Sequence, residues 1–298
     1  MILLDSVYRL IRLALQEDIG RGDQTSEAIM DPEWSAAAAI YIKQPAVVAG
    51  LPVVQAVFQT LDPRVQVIPA ISDGTHLSEK ALVCQVEGPA LSVLSGERTA
   101  LNFLARLTGI ATATARAVAE LEGTKAKLLD TRKTTPGWRT LEKYAVRMGG
   151  GHNHRFGLDD MILIKDNHIA LAGSVREAVR RARLYASIST RVEVEVDTLS
   201  QLEEALQCDV DMILLDNMDC PTMEQAVRMT AGKVPLEASG NMSVERLRAV
   251  ANTGVDYISM GALTHGATSV DVGLDITIDG AQGVTAGERR DGNEPPRV

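Results

Sequence analysis

From Lys127 to Gly261 the chain alternates between two hydrophobic periods. Short apolar runs that end in a polar residue, KLLD, ILIK, VEVEV, MILLDN, VPLEAS and DYISMG, are separated by segments such as VREAVRRARLYA, SQLEEALQ, MEQAVRM and VERLRAVANTG, whose apolar positions recur at helical spacing. That alternation predicts parallel strands joined by crossover helices, either an open doubly wound sheet or an α/β barrel. The strand ends favour the barrel. Asp130, Lys165, Glu195, Asp216, Ser239 and Gly261 each close a strand-like run. A barrel gathers such residues at the carboxyl ends of several strands, whereas an open sheet collects them only at its switch point. Within VEVEV, alternation puts Val192, Val194 and Val196 on one face and Glu193 and Glu195 on the other. With the valines against outer helices, both glutamates point inward, where a carboxylate needs a partner, and Lys165 is the nearest candidate by strand order.

The first third reads differently. An amphipathic helix broken by Asp5, Arg9 and Arg12 opens the chain, followed by a glycine-punctuated loop, EDIGRGDQTS. Ser35 to Pro89 predicts short strands (AAAAIYIK, VQVIPA, ALVCQVEG) with one helix between them, LPVVQAVFQTL, an α+β pattern without regular alternation. ERTALNFLARLTGIATATARAVAELEG is helix-forming over nearly its whole length, with a break expected at Gly109. The expected organisation is an amino-terminal α+β domain over residues 1–108 and a barrel over 109–274. The tail 275–298 packs near the first domain or is disordered, with too little apolar content after Asp279 to fold alone.

Composition narrows the class. Hydrophobic residues make up 45% of 298 and aromatics 3%, so the core is built from Ala, Val, Leu, Ile and Met. Cys84, Cys208 and Cys220 are scattered without metal-ligand spacing and read as reduced thiols, which points to the cytoplasm. No apolar run reaches membrane-spanning length, and a formal net charge of -9 without a long basic run argues against nucleic acid. Against that acidic background, Thr131 to Leu158 carries six basic side chains (Arg132, Lys133, Arg139, Lys143, Arg147, Arg155) and one acid, Glu142. A basic island in an acidic chain suggests a local field for a small anion. Lys143 and Arg147 fall on a helical period and read as a solvated face, with Glu142 pairing among neighbours. Arg132, Lys133, His154 and Arg155 sit beside strand ends or glycines and read as ligand contacts, with the Thr-Thr-Pro-Gly and Gly-Gly-Gly segments leaving amides free to face the same ligand.

The ordered set DTRKTTPGWRTLEKYAV, GGGHNHRFGLDDMILIKDNHI, VEVEV, LLDNM, LEASGN and GVDYISMGALTH resembles the quinolinate phosphoribosyltransferases, and the likeness runs from EDIGRGDQTS to about Leu274. The resemblance implies an α+β sandwich-like domain before an incomplete seven-stranded α/β barrel, and a homodimer with sites between subunits. It implies that quinolinate and 5-phosphoribosyl-1-pyrophosphate react, with magnesium, to nicotinate mononucleotide, pyrophosphate and carbon dioxide. On the same ground Arg132, His154 and Arg155 hold the quinolinate carboxylates with Lys133 and Lys165 nearby, and Arg98 comes from the partner subunit. Glu195 and Asp216 serve the ribose and the metal, directly or through water, and Ser239, Gly240 and Gly261 the 5-phosphate. Lys133, Lys165, Glu195 and Asp216 are the implied catalytic set. Two other readings are a related phosphoribosyltransferase for a different base and a non-catalytic barrel that binds sugar phosphates.

Overall fold

All six strand-like runs of the second half form strands in the computed structural model, which describes residues 4–279. In chain order the strands are β1 (Ser35–Ile42), β2 (Ala46–Val47), β3 (Gln66–Pro69), β4 (His76–Leu77), β5 (Ala81–Pro89), β6 (Lys127–Leu129), β7 (Ile162–Ile164), β8 (Val192–Val196), β9 (Met212–Asp216), β10 (Leu236–Ser239), β11 (Tyr257–Ser259) and β12 (Val272–Asp279). The barrel strands run in the order β6-β11-β10-β9-β8-β7, and every pairing is parallel. A seventh position is reduced to a single parallel bridge between His152 and Leu129 beyond β6, so the barrel is incomplete between this segment and β7. Val192, Val194 and Val196 are fully buried on one face of β8, with Glu193 and Glu195 on the other. The alternation read from the sequence is therefore the alternation in space.

The amino-terminal sheet is antiparallel, in the order β12-β1-β5-β3, with the helices Asp5–Ile19, Leu51–Leu61 and Ala90–Ala119 packed together beside it. The predicted helix LPVVQAVFQTL spans the observed Leu51–Leu61, with Pro52 in its first turn, where the missing N–H costs nothing. Strand β12 returns from the end of the barrel to pair with the whole of β1, from Ser35 opposite Asp279 to Ile42 opposite Val272. The first residues assigned to the tail thus belong to this sheet, while the stretch after Asp279 expected to be disordered lies outside the described residues.

Two expectations about glycines fail, one through the path of the helix Ala90–Ala119 and one through the end of the helix Arg139–Met148. The helix Ala90–Ala119 runs unbroken through Gly109 and joins sheet to barrel. A Cβ on Gly109 would lie 2.0 Å from the Thr268 carbonyl oxygen, so the glycine permits close backbone approach and does not end the helix. Gly149 likewise packs on this helix, where a Cβ would meet the Ala111 carbonyl oxygen at 2.3 Å. The amides of Gly149, Gly150 and Gly151 bond to Ala145, Arg147 and Val146 carbonyls, so the Gly-Gly-Gly segment does not present its amides to a ligand.

The helix Arg139–Met148 corrects a third reading. Residues Leu141 to Val146 are all buried, including Glu142 and Lys143, because the helix is packed against the Ala90–Ala119 helix on one side and faces the barrel loops on the other. Arg147 is exposed as expected. Lys143 is 3% exposed and is no part of a solvated face. Its ammonium pairs with Asp130, the fully buried residue that follows β6.

Candidate active site

A cavity of about 720 Å³ opens at the carboxyl ends of the barrel strands. Arg132 and Lys133 reach it from the turn after β6, His154 and Arg155 from the loop after the His152 bridge, and Lys165 from the end of β7. Glu195 comes from β8, Asp216 from β9, Ser239 and Gly240 from β10, and Gly261 from the turn after β11. Ten of the eleven candidate residues therefore share one space. Arg98 does not; it is exposed on the long helix and lines no part of this cavity. The Thr-Thr-Pro-Gly segment also lies outside it, and the Thr135 amide is spent on Glu142.

The cationic wall is held by a buried hub. Asp130 accepts hydrogen bonds from the Asn153 side chain at 2.6 Å and from the His154 amide at 2.8 Å, besides the Lys143 ammonium, which also donates to the His154 carbonyl at 3.0 Å. This hub fixes where the chain carrying His154 and Arg155 runs. Arg139 adds a clasp, donating to the Arg132 and Phe156 carbonyls at 3.3 and 3.1 Å, so both arginine-bearing loops are tied to one side chain. Arg155 is 8% exposed, and among the described residues its guanidinium has one hydrogen-bond partner, the Met161 carbonyl at 3.2 Å. A guanidinium carries five N–H donors, so most of the Arg155 fork is left facing the cavity.

The acidic wall begins with Glu195, whose carboxylate lies 2.5 Å from the Lys165 ammonium, the pairing expected from strand order. Asp216 stands on the next strand and accepts from the Asn217 side chain at 2.7 Å.

Beneath both walls lies a cluster the sequence reading found only in part. His154 Nε2 sits 3.1 Å from Glu193 and 3.3 Å from Glu237, both essentially inaccessible to solvent. Among the described residues, the remaining Glu193 oxygen and both Glu237 oxygens have no hydrogen-bond partner. The Arg155 amide points at His154 Nδ1 at 2.7 Å, so a lone pair resides there and Nε2 carries the ring proton. The three side chains offer atoms within 4.8 Å of one another, as a metal site would, but a protonated Nε2 is no ligand. Burial is the largest influence on Glu193 and pushes it up to about 7, with the Glu237 charge adding and His154 opposing. Burial pulls His154 down, but the hydrogen bond to Glu193 and the close negative charges of Glu193 and Glu237 outweigh it and raise the ring to about 10. A charged ring at that value conflicts with a lone pair on Nδ1. A neutral ring with one protonated carboxyl holds the same number of protons as a charged ring between two carboxylates, so the cluster retains its extra proton either way. The amide places that proton on the carboxyl side.

The sign of the linkage follows. Between about pH 7 and about pH 10 the folded cluster holds a proton that the unfolded chain, with imidazole near 6.5 and carboxylates near 4.3, has already released. Stability contributed by this proton is present below that window and lost as pH rises through it. His154→Gln is expected to flatten the loss, measured as the Tm difference between the two proteins at pH 7 and pH 10; identical slopes would refute the retained proton.

Both His154 nitrogens are thus occupied from within the fold. Glu237, Asn217, Met242 and His265 also line the cavity and were not singled out as site residues. Glu237 was legible: in LEAS, Leu236 and Ala238 alternate with Glu237 and Ser239 just as the valines of β8 alternate with its glutamates.

Two family descriptions match the chain: "Quinolinate phosphoribosyl transferase, N-terminal domain" over residues 23–108 and "Quinolinate phosphoribosyl transferase, C-terminal domain" over 110–275. It is 46% identical over 270 residues to the probable nicotinate-nucleotide pyrophosphorylase (carboxylating) of Bacillus subtilis strain 168, covering 91% of this chain and 93% of that one. It is 42% identical over 278 residues to the nicotinate-nucleotide pyrophosphorylase (carboxylating) of Mycobacterium leprae strain TN, covering 91% and 98%. The crystal structure of NadC from Streptococcus pyogenes superposes with a TM-score of 0.90 at 42% identity, covering 93% of this chain and 99% of that chain.

Proposed function

The chain belongs to the quinolinate phosphoribosyltransferase family, and on that premise we propose how its cavity divides the work. The protein transfers the phosphoribosyl group of 5-phosphoribosyl-1-pyrophosphate to quinolinate with decarboxylation, giving nicotinate mononucleotide, pyrophosphate and carbon dioxide, a step of de novo NAD biosynthesis. The observation that carries the division is the convergence of four cations, Arg132, Lys133, Arg155 and Lys165, with the strand-end carboxylates Glu195 and Asp216 on one cavity, where Lys165 pairs with Glu195.

Arg132 and Arg155 grip the two adjacent carboxylates of quinolinate, since planar guanidinium forks match carboxylate geometry, and Lys133 and Lys165 complete the positive field. His154, whose ring nitrogens are engaged, supports this wall from beneath. The 5-phosphate lies against Ser239, Gly240 and Gly261. The pyridine nitrogen attacks ribose C1 as the bond to pyrophosphate breaks, and its electron pair leaves with the pyrophosphate. Glu195, placed by Lys165, steadies the positive charge developing at C1, and Asp216 orients the ribose. The new pyridinium charge accepts electron density from the bond to the 2-carboxylate, carbon dioxide departs, and a proton takes its place. No covalent nucleophile is needed. Magnesium suits the oxygen donors of Glu195 and Asp216, because that ion is commonly bound by one or two carboxylates together with waters and substrate phosphate; these two residues would hold it directly or through water. When bound, it supplies positive charge to the departing pyrophosphate.

The working unit is a homodimer. Arg98, exposed and outside the lining of its own cavity, reaches the partner's and adds a further cation for quinolinate. The compartment is the cytoplasm, a reducing setting that suits three free cysteines, Cys84, Cys208 and Cys220.

The decisive assay supplies 5-phosphoribosyl-1-pyrophosphate with quinolinate or with nicotinate and follows pyrophosphate and carbon dioxide. Quinolinate is expected to release both in equal amounts, and turnover of nicotinate alone would remove the assignment. Mixed dimers of Arg98→Ala and Lys165→Ala subunits are expected to regain about one intact site per dimer, as a shared site demands. No recovery would mean that Arg98 serves its own subunit.

A further inference from the structure

The helix Ala90–Ala119 sends a second arginine in another direction from Arg98. Arg106 comes eight residues later, about 80° further round the helix, and points into its own barrel. Its guanidinium donates to the Ala267 carbonyl at 2.5 Å, to the Thr264 carbonyl at 2.6 Å and to Glu142 at 3.1 Å. Glu142, fully buried, accepts the Thr135 amide at 3.1 Å and the Thr135 hydroxyl at 2.9 Å. The Thr264 hydroxyl in turn donates to the Lys133 carbonyl at 2.7 Å. Lys133, Thr264, Arg106, Glu142 and Thr135 therefore close a ring.

One arc of that ring is the turn carrying Arg132 and Lys133; the other is the turn from Gly261 to Gly266. The same helix grips the first turn again through Phe103, three residues before Arg106, whose ring stacks on Trp138 with centroids 4.6 Å apart. Neither turn can shift without breaking a bond to the other or to the helix. Arg106 itself does not line the cavity, so whatever it contributes it contributes through these turns.

We propose that Arg106 is a positioning residue that couples the two halves of the cavity, so that the dicarboxylate held at the Arg132–Lys133 turn and the sugar phosphate held at the Gly261 turn tighten each other's binding. This inference rests on the reading of those two turns under Proposed function. A lysine cannot replace the arginine, because one ammonium does not span two carbonyls and a carboxylate in the fixed arrangement of the planar fork.

The test uses the full chain. Arg106→Met alone leaves Glu142 buried without its cation and threatens folding, so the working variant is Arg106→Met with Glu142→Gln, checked by its melting temperature. Phthalate, which keeps both carboxylates of quinolinate but lacks the reacting nitrogen, is titrated by calorimetry with and without 5-phosphoribosyl-1-pyrophosphate. The unaltered protein is expected to bind phthalate more tightly when the sugar diphosphate is present, by a factor within the roughly 5- to 150-fold span of ordinary coupling. The double variant is expected to bring that factor close to 1, to raise KM for both substrates together and to lower kcat. A part that only props the fold would move the melting temperature and leave the coupling factor alone. Coupling retained in the folded double variant, or a KM change confined to one substrate, overturns the inference alone. Failure of the unaltered protein to consume quinolinate overturns the assigned activity and the inference with it.

Discussion

Arg155→Ala is expected to lower kcat/KM for quinolinate by roughly 10²–10⁴-fold while changing the requirement for 5-phosphoribosyl-1-pyrophosphate by less than about threefold. The magnitude comes from two charge-assisted hydrogen bonds between the unpaired donors of the fork and a carboxylate, at about 1.5–3 kcal/mol each, with about 1.4 kcal/mol per factor of ten. Specificity for one substrate comes from placement. Arg155 is buried beside Arg132, and burial first, then the Arg132 charge, lowers its pKa below that of an ordinary arginine, although it stays charged. Two neighbouring guanidinium groups lining one cavity build a local field that favours a small dicarboxylate. Arg155→Lys keeps the charge and loses the fork, so it is expected to recover only part of the loss. Steady-state kinetics with each substrate varied in turn decides the matter, and equal effects on both would refute the division between the two walls.

The second large effect is on stability. Lys143→Met is expected to destabilise the protein by about 3–5 kcal/mol, because it strands the Asp130 carboxylate in a site without solvent. Burial is the dominant influence on both partners: it raises Asp130 and lowers Lys143, each against the pull of the other's charge. The pair is therefore held more for placement than for stability, and its cost appears when one member is removed. At about 2–4 °C per kcal/mol for a chain of this size, the melting temperature should fall by roughly 6–20 °C. Adding Asp130→Asn removes the stranded charge and still offers an oxygen to the His154 amide, so at least half of the loss should return. Denaturant unfolding of the two single variants and the double variant gives the coupling directly. A loss below about 1 kcal/mol for Lys143→Met would show that water reaches Asp130.

These two residues mark the boundary of what a linear reading can reach. Arg155 was found because a charge beside glycines at a strand end has few structural uses. Lys143 was misread because LEKYAV has the period of a helix with one wet face, and period alone says nothing about what lies over that face. In the folded chain the long helix packs on the same segment and the barrel loops receive the other side, so glutamate and lysine are both covered. Glu142 then pairs with Arg106 and Lys143 with Asp130, partners 36 and 13 residues away along the chain. Gly109 and Gly149 were misjudged for the same cause: their role is set by backbone that approaches from distant sequence.

The sequence by itself determined the six barrel strands, the helix Leu51–Leu61, the inward face of β8 and the strand-end residues that meet in the cavity. These depend on local sterics and on a period of two or 3.6 residues, and both are written in the order of side chains. Only the tertiary structure decided that β12 completes the sheet begun by β1, that Arg106 closes a ring under two turns, and that Glu237 joins Glu193 around His154. Each of these needs segments far apart in sequence to arrive at one place, and burial and hydrogen-bond partners come into being only when they do.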